Sequence, residues 1–286
     1  MLLALVAGCT AAAEQNPKVR GRELTAAEQY LVDRSEELLV KKCMERGGFR
    51  YWVTQIPGVA EREGPGYVID DIEWAKTHGY GGRLQRRADR ARRNDPNSAY
   101  FETLSRAERI RYNVMLDGDF EKGTLTVELP AGGTMRTPRE SCSAQAQEQL
   151  YGDHPTWFRV DRIATNLTPL YANELMKDKR LLRAVAKWSA CMRKAGQDYD
   201  DPQQIRAGLP DLTRGLGPGR AHAVEVELAV TEARCARRSA LADTAHAVED
   251  EHRAKATRRY REDIATWKHM SVTALARAHD IVATAN

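Results

Sequence analysis

The densest group of side chains able to hold a metal or move a proton is His246-Ala247-Val248-Glu249-Asp250-Glu251-His252. On a helix, His246 and Asp250 share a face at i,i+4, as do Glu249 and His252 at i,i+3. Either pair could give two ligands to one ion, but a tetrahedral site needs more, and the sequence nominates none. Charged pairs on a solvated helix account for the cluster equally well. Asp70 and Asp71 are the other adjacent carboxylates that could serve a hydrolase through general acid and base chemistry. The chain contains no Gly-rich phosphate loop, no His-Glu-x-x-His and no Gly-x-Ser-x-Gly. No catalytic residue, metal or cofactor is expected from these motifs.

Cysteine chemistry is better defined. There are five cysteines: Cys9, Cys43, Cys142, Cys191 and Cys235. Without Cys9 the remainder is even, which suggests disulfides in an oxidising compartment. Spacing alone leaves all the pairings open, and an internal repeat selects one. Cys43-Met44-Glu45-Arg46-Gly47-Gly48-Phe49-Arg50-Tyr51 aligns without a gap on Cys191-Met192-Arg193-Lys194-Ala195-Gly196-Gln197-Asp198-Tyr199. Cys, Met, Gly and Tyr coincide, and each glycine is a helix stop. A lone cysteine follows each copy within a further helical segment. Two related units, clamped by Cys43–Cys142 and Cys191–Cys235, are the simplest arrangement.

Cys9 ends an apolar run, Leu2-Leu3-Ala4-Leu5-Val6-Ala7-Gly8-Cys9, and a polar tract follows it. Val6-Ala7-Gly8-Cys9 resembles the lipobox of bacterial lipoproteins. That resemblance implies that Cys9 is lipidated on sulfur and begins the mature chain outside the cytoplasmic membrane. A signal peptide carries a positive region before its apolar core, and only Met1 precedes Leu2, so the true start is expected further upstream. No later stretch is apolar enough to span a bilayer, which takes about 20 residues. The expected partner is therefore the membrane, through a lipid anchor.

The elements that must position these residues read as mainly helical. Residues 10–24 form a polar tether. The capping box Thr25-Ala26-Ala27-Glu28 starts a helix in which Ala27, Tyr30, Leu31, Leu38 and Leu39 form one buried stripe up to Cys43. Asp71 to Lys76 is a short helix, followed by a glycine-rich turn through Gly82. The run Arg83 to Arg93 could meet anionic lipid headgroups or wall polymers, but a solvated helix face or a disordered loop is the favoured reading. Nucleic acid is not an expected partner of an exported chain, and no aromatic residues interleave with the arginines as a stacking platform requires. A second capping box, Ser105-Arg106-Ala107-Glu108, opens a helix to Asp117. Thr124 to Leu129 alternates apolar and polar residues, and Ala131-Gly132-Gly133 supplies a turn, which predicts one small β-hairpin.

Past Pro138 helices dominate: one from about Thr156 to Leu175, one from Asp178 to Ala195, then a Pro/Gly-rich linker from Asp200 to Gly219. Arg220 to Asn286 contains neither proline nor glycine and predicts one long helix, or two with a soft break near Arg253 to Arg259. The expected fold is a mainly α helical bundle with two disulfide-clamped units, one β-hairpin and a long C-terminal helix. In chain order this divides into residues 1–9 (signal segment), 10–24 (tether), 25–176 (first unit with the hairpin) and 177–286 (second unit).

Trp74-Ala75 with Gly79-Tyr80-Gly81, Leu150-Tyr151-Gly152-Asp153, Trp188-x-x-Cys191-Met192 and Ala233-Arg234-Cys235-Ala236, together with the lipobox, resemble a group of secreted actinobacterial lipoproteins. The resemblance implies an extracytoplasmic compartment and a helical, disulfide-bonded architecture, and carries over no catalytic residue. Tyr51, Trp52, Trp74, Tyr80 and Tyr199 could line a ligand groove, although aromatics in small helical domains usually fill the core. The function expected is a non-enzymatic binding or accessory lipoprotein that meets an envelope protein or wall component. The alternative is an envelope hydrolase using carboxylates, with Asp70, Asp71 or the Glu249 cluster as its candidates.

Overall fold

Side chains that accept orphan N–H groups set the helix starts. The computed structural model describes residues 21–54, 56–64 and 66–284. Helix α1 (Ala26–Arg46) opens with the Thr25 hydroxyl accepting from Glu28 N–H at 3.3 Å and the Glu28 carboxylate accepting from Thr25 N–H at 2.8 Å. A short turn, α2 (Val59–Arg62), precedes α3 (Ile72–His78) and α4 (Gly82–Arg93). Helix α5 (Pro96–Thr103) takes Asp95 as N-cap and proline in its first turn, where a missing N–H costs nothing. Helix α6 (Arg106–Asp117) repeats the capping box with Ser105 and Glu108.

Strands β1 (Thr124–Glu128) and β2 (Thr134–Pro138) form an antiparallel pair with Val127 opposite Met135. Gly132 and Gly133 both hold positive φ in the turn between them. Alternation then places Leu125 and Val127 on the buried face, against Phe158, Ile163 and Leu167. The chain continues as α7 (Cys142–Tyr151), α8 (His154–Ala164), α9 (Ala172–Leu175), α10 (Lys179–Lys194), α11 (Pro202–Leu212), α12 (Pro218–Ser239), α13 (Leu241–Ala256) and α14 (Arg261–Thr284).

Three of these spans refine the sequence reading. The Pro/Gly-rich stretch expected as a linker contains α11, because Asp201 caps it and Ile205 is wholly buried. The span from Thr156 to Leu175 divides into α8 and α9, with a 3-10 turn at Thr168–Leu170 between them. The C-terminal span breaks at Thr257–Tyr260, as expected, and also at Ala240, whose φ of 51° is left-handed. Alanine at that position leaves no mark in the sequence.

Both disulfides are present: Cys43–Cys142 and Cys191–Cys235, each with Cα atoms 5.5 Å apart. The repeat also extends to backbone geometry. Phe49 N–H donates to Met44 C=O at 3.0 Å and Gly48 N–H to Glu45 C=O at 3.0 Å; Gln197 N–H donates to Met192 C=O at 2.9 Å and Gly196 N–H to Arg193 C=O at 3.0 Å. Each is a Schellman stop, with Gly48 and Gly196 at φ 85° and 78°. The partner cysteines differ in placement: Cys142 opens α7, whereas Cys235 lies in the last turns of α12.

Two principal cores result. Val32 of α1, Leu150 of α7, Val160 of α8 and Met270, Ala274 and Ala278 of α14 form one. Small residues allow close approach there, and the Ser35 hydroxyl lies 3.2 Å from Ala278 C=O across the α1–α14 contact. Leu181, Trp188 and Met192 of α10, Ile205 of α11, Leu228 of α12 and Leu241 of α13 form the other. Packing order thus departs from chain order, because the last helix returns to the first.

Candidate ligand-binding groove

Helix α1 has a face left free by its core contacts. Tyr30, Arg34, Glu37 and Leu38 lie on it within about one quadrant at 100° per residue. The Schellman stop at Gly48 reverses the chain, so residues 51–64 run alongside this face. Side chains hold that segment in place. The Tyr51 hydroxyl donates to Glu37 at 2.9 Å, and the Asn97 amide brackets Trp52, accepting from its N–H and donating to its C=O, both at 2.8 Å. The Thr54 hydroxyl donates to Asp95 at 2.9 Å, and Arg62 pairs with Asp33 of α1.

Between the segment and α1 lie linked cavities. One of about 570 Å³ is lined by Glu37, Tyr51, Thr54, Asp95, Asn97 and Glu102, among others. A second, of about 310 Å³, shares Thr54 and is lined by Tyr30, Arg34, Leu38, Val53 and Ile56. Tyr30 and Ile56 also border the third and largest, about 690 Å³, which Trp74, Tyr80, Leu84 and Arg87 help to close. Thr54, Tyr30 and Ile56 each line two of them, so the three cavities adjoin along α1 as one row, acidic at one end and basic at the other.

Burial pushes the Glu37 carboxyl above its ordinary range, partly offset by the Tyr51 hydrogen bond. The Tyr51 phenol is raised by burial and by the Glu37 charge. Burial also penalises the Asp95 carboxylate, but hydrogen bonds from Thr54, Ser98 and Asn97 outweigh it and hold Asp95 below its ordinary range. In the other two cavities the polar groups are less satisfied. Arg34 Nε and Trp74 Nε1 are buried N–H groups without a hydrogen-bond partner among the described residues. A buried donor left unpaired costs about 1–3 kcal/mol and calls for an explanation.

Several residues singled out in the sequence lie elsewhere. Asp71 caps α3, accepting from Glu73 N–H at 2.8 Å and Trp74 N–H at 3.0 Å. Asp70 is exposed, and its carbonyl accepts from Arg237 Nε at 2.7 Å. Of the histidine cluster, Glu249 accepts from Tyr171 at 3.0 Å, Asp250 pairs with Arg253 at 2.6 Å, Glu251 with Arg180 at 2.8 Å, and His252 with Asp178 at 3.0 Å. His246 is exposed. Among the described residues, no three His, Cys, Asp or Glu side chains are grouped to hold a metal ion.

The five aromatics considered for a groove are divided among four places. Trp74 and Tyr80 line the largest cavity and Tyr51 the acidic one. Trp52 meets Tyr100 edge-on at 5.8 Å, and Tyr199 packs on the core around Trp188. Cys9 and its lipobox lie outside the described residues. No described helix is long and apolar enough to cross a membrane.

Arg34, Glu37 and Asp95 escaped the sequence reading, and Tyr30 and Leu38, expected in the buried stripe of α1, line cavities instead. Asp95-Pro96 carried a signal, an aspartate cap before a proline at the first helical position. The α1 residues carried none, because a polar groove face and a solvated face look alike in sequence. Compared with family models, curated proteins and solved structures, the chain matches none of them.

Proposed function

We propose that this is an extracytoplasmic lipoprotein, anchored in the cell membrane through Cys9, that acts as a binding or accessory protein of the envelope. The α1 groove is its ligand seat. Two disulfides support the compartment, because such bonds persist where the cytosolic reductants are absent. The lipobox and the resemblance to secreted actinobacterial lipoproteins support the anchor.

The observation that carries the binding role is the row of adjoining cavities along α1, whose walls bring aromatic, acidic and basic side chains together. An elongated ligand bearing carbonyl, hydroxyl or carboxylate acceptors suits the end lined by Arg34, Trp74 and Arg87. A wall component or a peptide segment of an envelope protein fits that description. A carboxylate hydrolase is disfavoured here, because Asp95 already accepts from Thr54, Asn97 and Ser98 and is not free to activate water.

Palmitate labelling of the wild type and of Cys9→Ser tests the anchor: label is expected in the first alone, and an unlabelled wild type overturns it. A photoreactive residue at position 30 tests the groove in cells. A specific adduct that weakens in Arg34→Met is expected; an adduct pattern unchanged in that variant overturns the groove as the seat.

A further inference from the structure

Helix α4 carries a basic surface of which only Arg87 and Arg92 border the groove. Six of its twelve residues are arginine against the single acid Asp89, so its charge exceeds the net +4 of the whole chain. At 100° per residue, Arg83, Arg86, Arg87, Arg90 and Arg93 fall within an arc of about 120°, and Arg92 lies opposite. The cavity wall of α4 is a different arc, formed by Leu84, Gln85, Ala88 and Ala91, with Arg87 at the border between the two.

Intramolecular pairing leaves most of the arc uncompensated. Arg86 approaches the buried Glu225 at 3.8 Å, and Arg92 pairs with Asp89. Arg83, Arg87, Arg90 and Arg93 are exposed, and among the described residues none forms an ion pair. The helix is firmly placed: Glu225 accepts from Gly82 N–H at 3.0 Å, putting a carboxylate at its positive end.

The position of α4 matters as much as its charge. Leu84, Ala88 and Ala91 line the largest cavity together with Tyr30, the fifth residue of α1, so α4 faces the first turns of α1 across that cavity, while the chain enters at Gly21 beside Lys268 and His269 of α14. From Cys9 to Gly21 a chain reaches at most about 40 Å. A lipid on Cys9 would therefore keep the first turns of α1, and α4 across the cavity from them, within reach of the bilayer.

We propose that the Arg83–Arg87–Arg90–Arg93 face of α4 docks on anionic phospholipid headgroups and orients the anchored protein on the membrane. The proposal rests on the extracytoplasmic reading; acylation brings the face to the bilayer, and the attraction of the arginines for headgroups does not need it. The arc presents no exposed apolar anchor, so the attraction is electrostatic and screened by salt.

The test uses full-length Cys9→Ser protein, which has no acylated cysteine, and co-sedimentation with vesicles. Binding is expected to vesicles of phosphatidylglycerol and phosphatidylcholine, but not to phosphatidylcholine alone, and to be lost in 0.5 M salt. R83Q/R90Q/R93Q leaves the groove residues intact and is expected to bind about 100-fold more weakly. K122Q/R136Q/R139Q removes as much charge elsewhere and is expected to bind like its parent. Equal losses in the two triple variants, with melting curves matching the parent, overturn the proposal. So does a preference for a soluble anionic polymer over the charged vesicles, which would assign the face to wall polymers instead. Failure of palmitate labelling alone removes the anchor while leaving vesicle binding intact.

Discussion

The phenol of Tyr80 donates a hydrogen bond to the carboxylate of Glu232, a side chain with no exposed surface in the middle of α12. Ile69 N–H donates to the same carboxylate at 3.2 Å, and Arg206 approaches it at 4.0 Å while also donating to Tyr67 and Gly66 carbonyls. One buried acid thereby fastens both flanks of α3, Ile69 and Tyr80, to α12. Burial raises the Glu232 carboxyl above its ordinary range, and the Tyr80 bond opposes that rise. Tyr80→Phe is expected to cost about 1–3 kcal/mol of stability. A raised acid stabilises the fold when protonated and less so as pH rises through its folded pKa. The Tyr80→Phe penalty should therefore be larger at pH 8 than at pH 5 in urea unfolding, and a penalty independent of pH would contradict this account.

Glu36 gives a cleaner pH prediction. It accepts from Gln147 at 3.0 Å, and burial, together with the nearby acids Asp33, Glu37 and Asp161, pushes it up to about 7. Its stabilising contribution is complete below the ordinary value of 4.5 and is lost as pH rises through about 7. Glu36→Gln keeps an acceptor for Gln147 without the charge. The variant should match the wild type near pH 4 and exceed it at pH 8, by up to about 3 kcal/mol. Thermal melts across that range measure the difference between the two profiles.

Two glycines with positive φ should respond very differently to alanine. A Cβ on Gly48, at φ 85°, meets nothing within 4 Å, so only the backbone conformation is penalised, by about 1 kcal/mol. A Cβ on Gly79, at φ 60°, would lie 2.7 Å from the Glu225 Cβ and 3.1 Å from its backbone carbon. Overpacking adds about 1–3 kcal/mol there. Urea midpoints should rank Gly79→Ala well below Gly48→Ala, with equal midpoints counting against the close α3–α12 approach.

The disulfides close loops of unequal length, with sequence separations of 99 for Cys43–Cys142 and 44 for Cys191–Cys235. Loop-closure entropy assigns each about 4 kcal/mol, slightly more to the longer loop. Replacing either pair with serines should lower the melting temperature substantially, and reductant should do the same to the wild type. A non-reduced peptide map recovering a Cys43–Cys191 peptide would contradict the pairing.

The sequence by itself determined the elements whose causes are local. Thr25 and Ser105 start their helices by chemistry contained within four residues, and Gly48 and Gly196 stop theirs the same way. The alternation from Thr124 onward is enough for the hairpin, and the repeated Cys-Met-x-x-x-Gly pattern is enough to choose between the disulfide pairings. Tertiary structure decided what depends on which face a neighbour covers. Glu36 and Glu37 are adjacent and chemically identical, yet one faces Gln147 of α7 and the other Tyr51 and the groove. The arginines of α4 become a surface only once Leu84 and Ala88 are turned toward Tyr30. Local hydrogen bonds repeat at fixed spacing and can be read along a chain. Burial of a charge is set by residues a hundred positions away, and no spacing records it.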